Sequence, residues 1–129
     1  ERPNTTFVGY FIGSPAMNLF ESEVSSNDSV KINNNLIKTR TNLSNIKTKN
    51  IKLGIRSEFI KIAQNQNENL INVNVEKVED LGNYKLITAK MGNFTIKSKV
   101  TRETEIPNQN VKLHIPAEKC CVYEDNKLI

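Results

Sequence analysis

The chain has no tryptophan, a single histidine, two cysteines and five glycines, and each scarcity removes a class of function. Gly9, Gly13, Gly54, Gly82 and Gly92 include no pair spaced for a G-x-x-x-x-G-K-[ST] phosphate loop, no adjacent pair for an LSGGQ-type signature, and no pair two apart for a dinucleotide fingerprint. His114 is flanked by Leu113 and Ile115, so a catalytic triad or a metal site lacks its partners there. On the alternation of residues 111–115 it lies opposite the apolar side, at an exposed or interface position. Cys120 and Cys121 are neighbours. A trans peptide holds their Cα atoms about 3.8 Å apart, closer than disulfides prefer. No second pair exists to complete a zinc site. They read as one core thiol and one surface thiol, as in a reducing compartment. No apolar run approaches the ~20 residues of a membrane span, and no signal-peptide pattern opens the chain.

What remains is a 129-residue chain of net charge +4, short of aromatics, whose core must be built from Ile, Leu and Val. The length suits one domain. Asn, Lys and Ile are abundant, and all three have A/T-rich codons, which weakens any functional reading of the charge. The sequons at Asn4, Asn27, Asn42 and Asn93 are expected by chance in so Asn-rich a chain.

Residues 7–20, FVGYFIGSPAMNLF, carry the strongest local pattern. Phe7, Val8, Phe11 and Ile12 form one helical stripe. Asn4 or Thr5 can cap it, Gly13 suits the left-handed residue after its last turn, and Pro15 forbids continuation. So short a helix is not stable alone, so its stripe must dock on something. Glu1 in place of an initiator Met points to a chain cut from a longer protein.

Downstream the period is two. Residues 17–24 run extended into the polar turn Ser25-Ser26-Asn27-Asp28. Val30 and Ile32 form a strand closed by Asn33-Asn34-Asn35, and Leu53 and Ile55 mark a half-buried strand after which Ser57 caps a single turn through Phe59 and Ile60. Ile71, Val73 and Val75 alternate cleanly until Glu76 and Lys77 sit side by side, which predicts a bulge. Around Tyr84 to Ala89 both faces look partly covered. Gly82-Asn83 and Met91-Gly92-Asn93 are turns. Phe94, Ile96, Ser98 and Val100 form one strand face, and Val111, Leu113 and Ile115 another. Short, evenly spaced strands indicate a small barrel or sandwich. The expected fold is all-β, an OB-like barrel behind a short N-terminal helix.

Charge is uneven. Residues 31–61 hold Lys31, Lys38, Arg40, Lys47, Lys49, Lys52, Arg56 and Lys61 against Glu58 alone. A basic stripe on an OB barrel invites a nucleic-acid reading, but single-strand binders also need stacking platforms, and only Phe59 is present. The expectation is a solvated face, or one turned toward an acidic partner. Arg56 and Glu58 are read as an ion pair bracketing a strand-to-turn corner, with a domain contact through Arg56 as the functional version. Glu103 and Glu105, beside Arg102, read as a solvated pair, since nothing there supplies the desolvated setting of acid catalysis.

Several stretches share a resemblance. RPNTTFVGYFIGSPAMNLF is similar to the RPAN-x-FVA-x-FIGSP-x-MN run of ABC importer ATPase subunits of the maltose and glycerol-3-phosphate type, through Arg2, Pro3, Phe7, Val8, Phe11, Ile12, Gly13, Ser14, Pro15, Met17 and Asn18. Gly9 and Tyr10 depart from the usual Ala-Gly. Leu53-Gly54-Ile55-Arg56-Ser57-Glu58-Phe59 resembles the family's LGIRPEH. Val78-Glu79-Asp80-Leu81-Gly82-Asn83 resembles its VE-x-LGN, and residues 116–125 resemble its closing P-x-E-x-x-x-x-F/Y-D strand. Residues 24–50 align with nothing.

The resemblance implies a division at the family's domain junction: residues 1–14 as terminal helix and linker of a preceding ATPase domain, and residues 15–129 as an OB-like regulatory domain of the MOP/TOBE kind. It implies no catalytic, metal or cofactor residue in this chain, with ATP and Mg bound by the parent protein. It also implies a second ATPase subunit, membrane permease subunits and a solute-binding protein as partners, no nucleic acid, and a place on the cytoplasmic side of the plasma membrane. Phe7, Tyr10, Phe11, Met17, Leu19, Arg56 and Glu58 are then the candidate interface and regulatory residues. Two alternatives stand beside this reading: an OB module that binds nucleic acid, and an oxyanion-binding domain using amides near Ser14 or Gly82.

Overall fold

The computed structural model describes residues 17–129; the expected N-terminal helix lies outside the described residues. Within them, β-branched and aromatic residues at alternating positions form β1 (Met17–Ser26), β2 (Ser29–Ile32), β3 (Asn35–Lys38), β4 (Ile51–Arg56), β5 (Lys61–Ile62), β6 (Leu70–Asp80), β7 (Lys85–Met91), β8 (Phe94–Val100), β9 (Asn110–His114), β10 (Cys121–Glu124) and β11 (Lys127–Leu128). Two single 3₁₀ turns, Ser57–Phe59 and Ala117–Lys119, interrupt the strands. The all-β, OB-like expectation holds for these residues.

The strands make two sheets, in the orders β11-β10-β4-β1-β2-β3 and β5-β9-β6-β7-β8. They contain the same unit twice. β4-β1-β2-β3 repeats as β9-β6-β7-β8, each followed by a 3₁₀ turn. The strand after that turn then crosses to the other sheet: β5 pairs with β9, and β10 with β4. The corner sequences also repeat, Leu53-Gly54-Ile55-Arg56-Ser57-Glu58 against Leu113-His114-Ile115-Pro116-Ala117-Glu118. The two turns meet where the Lys119 ammonium lies 4.6 Å from the centre of the Phe59 ring.

Asparagine side chains join the sheets. The Asn18 amide accepts from Lys97 N at 2.8 Å and donates to Lys97 O at 2.8 Å, as a neighbouring strand would, and also reaches Ile55 O at 3.4 Å. Asn69 does the same for β3, accepting from Lys38 N at 2.8 Å, donating to Lys38 O at 2.8 Å, and reaching Ile115 O at 2.9 Å. Ile55 and Ile115 are equivalent positions of the repeat, as are β3 and β8. Asn69 has φ of 58°, a left-handed conformation that asparagine tolerates better than most residues. Each Asn thereby closes the outer edge of the opposite sheet. The core between the sheets is continuous, with Phe20, Ile55, Ile71, Ile87, Ile96, Leu113 and Ile115 all buried.

Turn chemistry follows the sequence. The predicted bulge is present, as a register shift between Val75 and Lys77. Gly92 takes φ of 60° in the two-residue turn joining β7 to β8. Asp125 and Asn126 are both left-handed between β10 and β11, as a type I′ hairpin requires.

Three expectations need correction. β4 is not half-buried: Leu53, Gly54, Ile55 and Arg56 are all buried, because β1 and β10 flank it and large side chains cover its outer face. For the same reason Cys120 and Cys121 are both buried, one in the main core and one in a small second cluster, so there is no surface thiol. The turn after β4 begins at Ser57 as expected, but no side chain caps it.

Gly54 is where the outer face of β4 is tightest. A Cβ there would stand 2.8 Å from Met17 Sδ, 3.0 Å from Tyr123 Cε2 and 3.2 Å from Leu19 Cδ2. Gly54→Ala is expected to lower stability by about 1–3 kcal/mol through overpacking. Urea titration checks this; an unchanged midpoint would contradict the packing described.

Candidate functional site

The sequence-predicted interface residues that fall among the described residues gather at one corner. β1 pairs with β4 so that Met17 faces Arg56 and Leu19 faces Gly54, while β10 places Cys121 beside Gly54 and Tyr123 beside Lys52. Residues directly opposite share a sheet face, so these side chains form one strip on the outside of the first sheet. Met17, Cys121 and Tyr123 are buried there, with Leu19 and Leu128 packed against them. The Tyr123 hydroxyl donates to Met17 Sδ at 3.8 Å. Gly54, lacking a side chain, lets Tyr123 and Leu19 approach the strand.

Met17, Leu19 and Arg56 are therefore brought together. Glu58 is not. It is exposed on the 3₁₀ turn while Arg56 is buried, and the ion pairs among the described residues are Lys77–Glu79 and Arg102–Asp80, so the expected Arg56–Glu58 pair does not form. The charge of Glu58 acts instead on Lys61. Phe7, Tyr10 and Phe11 lie outside the described residues. Sequence reasoning missed Gly54, Cys121 and Tyr123. The signal was available in the spacing of Cys121 and Tyr123 on one side of β10, but nothing in the spacing says that this side is covered.

The basic stretch 31–61 does not form one face. Cross-strand register sets Glu23 beside Lys31 and Glu21 beside Lys52, Arg56 is buried, and Lys61 belongs to the second sheet. Phe59 packs against the core with one ring face covered by Lys119, so it is not an open stacking platform. The Gly82 amide donates to Asp80 Oδ1 at 3.0 Å. With Arg102 added, this holds the Asp80 carboxyl below the usual carboxylate range and occupies a donor that the oxyanion reading required; Ser14, its other candidate, lies outside the described residues.

No group of three His, Cys, Asp or Glu side chains suited to a metal ion occurs among the described residues. No helix among them is long and apolar enough to cross a membrane. The corner consists of close apolar packing around Gly54 with the buried Arg56 at its edge.

Residues 13–60 match the family model described as the MalK OB fold domain. Over β1 to β4, then, the chain is similar to a MalK-type OB fold domain. It is 29% identical over 118 residues to the sn-glycerol-3-phosphate import ATP-binding protein UgpC 2 of Agrobacterium fabrum, covering 89% of this chain and 31% of that protein. It is 34% identical over 105 residues to UgpC of Psychromonas ingrahamii, covering 81% of this chain and 26% of that protein. The chain thus spans less than a third of the curated relatives it matches. Among solved structures, the cytoplasmic molybdate-binding protein ModG, crystallised with molybdate bound, superposes with a TM-score of 0.64 at 10% identity, over 88% of this chain and 99% of that one. That likeness concerns the fold.

One carboxylate ties the segment between β3 and β4 to this domain. Glu124 Oε2 accepts from Lys47 N at 2.7 Å and from Thr48 N at 2.9 Å, and these bonds hold its carboxyl below the usual carboxylate range. A depressed folded pKa means that the contribution is present above the unfolded carboxyl value and is lost as pH falls through the folded one. Amide exchange at Lys47 and Thr48, corrected for intrinsic rate, is expected to accelerate below the ordinary carboxylate range. Glu124→Gln should show the faster exchange already at neutral pH. Equal protection in the variant at neutral pH would contradict the anchoring role.

Proposed function

We propose that this chain is the C-terminal regulatory and dimerisation domain of the ATP-binding subunit of an ABC importer for sn-glycerol-3-phosphate or sugars. The observation that carries the reading is the MalK OB domain match across β1 to β4, the strands that build the corner of Met17, Leu19, Gly54 and Arg56. In this reading residues 1–14 are the end of a preceding ATPase domain, and the corner is where that domain rests. The parent subunit binds ATP and Mg and hydrolyses ATP on the cytoplasmic side of the membrane, alongside permease subunits and a solute-binding protein. The OB domain holds two copies together while the ATPase halves open and close, and it offers a surface to regulators. Relatives named for sn-glycerol-3-phosphate import support that solute first. ModG favours an oxyanion reading only through its fold, and the Gly82 amide is already engaged.

The test begins with the genomic locus. The reading frame is expected to continue upstream of Glu1 into a G-x-x-x-x-G-K-[ST] loop and an ABC signature. The subunit expressed from it is expected to sediment as a dimer without nucleotide, and as a monomer once residues 15–129 are removed. A frame lacking both motifs would overturn the parent assignment; a truncated subunit that still dimerises would overturn the dimerisation role.

A further inference from the structure

The second sheet gathers Lys90, Lys97, Lys99 and Lys112, none of which has an acidic residue directly across the strand. Across the outer face of β6, β7 and β8, register sets Lys77, Thr88 and Lys97 in one row, Glu79, Leu86 and Lys99 in the next, and Asn74, Lys90 and Thr95 in a third. β9 adds Lys112 beside Asn72 and Asn110 beside Asn74. Across these rows the one carboxylate is Glu79, already paired with Lys77 at 3.7 Å; Glu76, at the bulge, is exposed beside them. On the first sheet, by contrast, each outward lysine of β2 and β4 has a glutamate directly across the strand.

Two of these ammonium groups are held in place. Lys97 Nζ donates to Thr88 Oγ1 at 2.8 Å, and Lys99 Nζ stands 4.3 Å from the centre of the Tyr84 ring. Both side chains are half-buried, not extended into water. Lys61 closes the edge of the row by donating to Lys99 O at 2.8 Å. Burial lowers its pKa, Glu58 raises it and the Lys99 charge lowers it, so the two like charges are close enough to feel each other. Positioned cations give up little side-chain freedom on meeting an anion.

From this face we infer a docking surface for a carboxylate-rich segment of a partner protein, centred on Lys90, Lys97 and Lys99. Charge complementarity selects an anion. An acidic polypeptide fits better than a single-stranded nucleic acid, because the one aromatic ring on the face, Tyr84, is already covered by Lys99 and base stacking needs an open ring. The inference rests on the accessory-domain reading for its biological setting. The measurement below uses neither nucleotide nor the rest of the subunit, so either can fail without the other.

The probe is a fluorescein-labelled ten-residue oligoglutamate, titrated with the chain at low ionic strength and compared with an oligothymidylate of similar charge and with phosphatidylglycerol vesicles. The oligoglutamate is expected to bind most tightly, to weaken as salt rises, and to shift backbone amide resonances of β7 and β8. Lys90→Glu/Lys99→Glu should weaken it at least tenfold, while Lys31→Glu/Lys49→Glu, which makes the same change in net charge away from this sheet, should leave it within about twofold. No peptide binding, tighter binding of the oligothymidylate or the vesicles, or equal loss in the two folded double variants would overturn the proposal.

Discussion

Two buried carboxamides, Asn18 and Asn69, hold this fold in register. A β-strand edge turned inward leaves a donor and an acceptor with no water to satisfy them, at a cost of about 1–3 kcal/mol per unsatisfied group. A primary amide is the one neutral side-chain group that offers one of each in the spacing of a peptide. Asn18 supplies it to Lys97 on β8, and Asn69 supplies it to Lys38 on β3. Aspartate has no donor, and glutamine is a methylene longer, so neither substitutes simply.

The exchange of β5 and β10 between the sheets depends on this clasp. Each half ends in a strand that belongs to the other half's sheet, so neither sheet is complete alone, and the core between them forms only when both are present. The equivalence extends to detail: the same two isoleucines, Ile55 and Ile115, accept the remaining amide proton of each asparagine. The halves differ mainly on their outer faces. On the first sheet Gly54 admits Tyr123 and Leu19, and Lys31 and Lys52 are matched by Glu23 and Glu21. On the second, Lys90, Lys97, Lys99 and Lys112 are not so matched, and the surface is left cationic. The interior is shared between the halves, and the exteriors are unlike.

The alternation of apolar residues made the strands and the β-class legible, and two adjacent polar residues at Glu76-Lys77 were enough to locate a bulge. The period of two cannot say whether a second face is covered. Hence β4 reads as half-buried and one cysteine as exposed, although Met17, Leu19 and Tyr123 gather on that outer face. Charge was misleading for a related reason: proximity along residues 31–61 suggested a basic stripe, whereas cross-strand register pairs Lys31 and Lys52 with Glu23 and Glu21 and gathers other lysines, distant in sequence, on β6 to β9. The internal repeat was present in the two L-x-I-x-x-E corners, but sparse identity hid it until the sheet orders made it plain. Met17, Leu19 and Arg56 were placed at one corner by residues that spacing alone does not single out.

The account stands on the carboxamide clasp, and paired urea unfolding curves of Asn18→Ala and Asn69→Ala test it most directly, with exposed Asn74→Ala as the reference. Each clasp variant is expected to lose roughly 2–4 kcal/mol while the reference stays within about 0.5 kcal/mol of the parent chain. Clasp variants as stable as the reference would show that the two sheets are held together by something else.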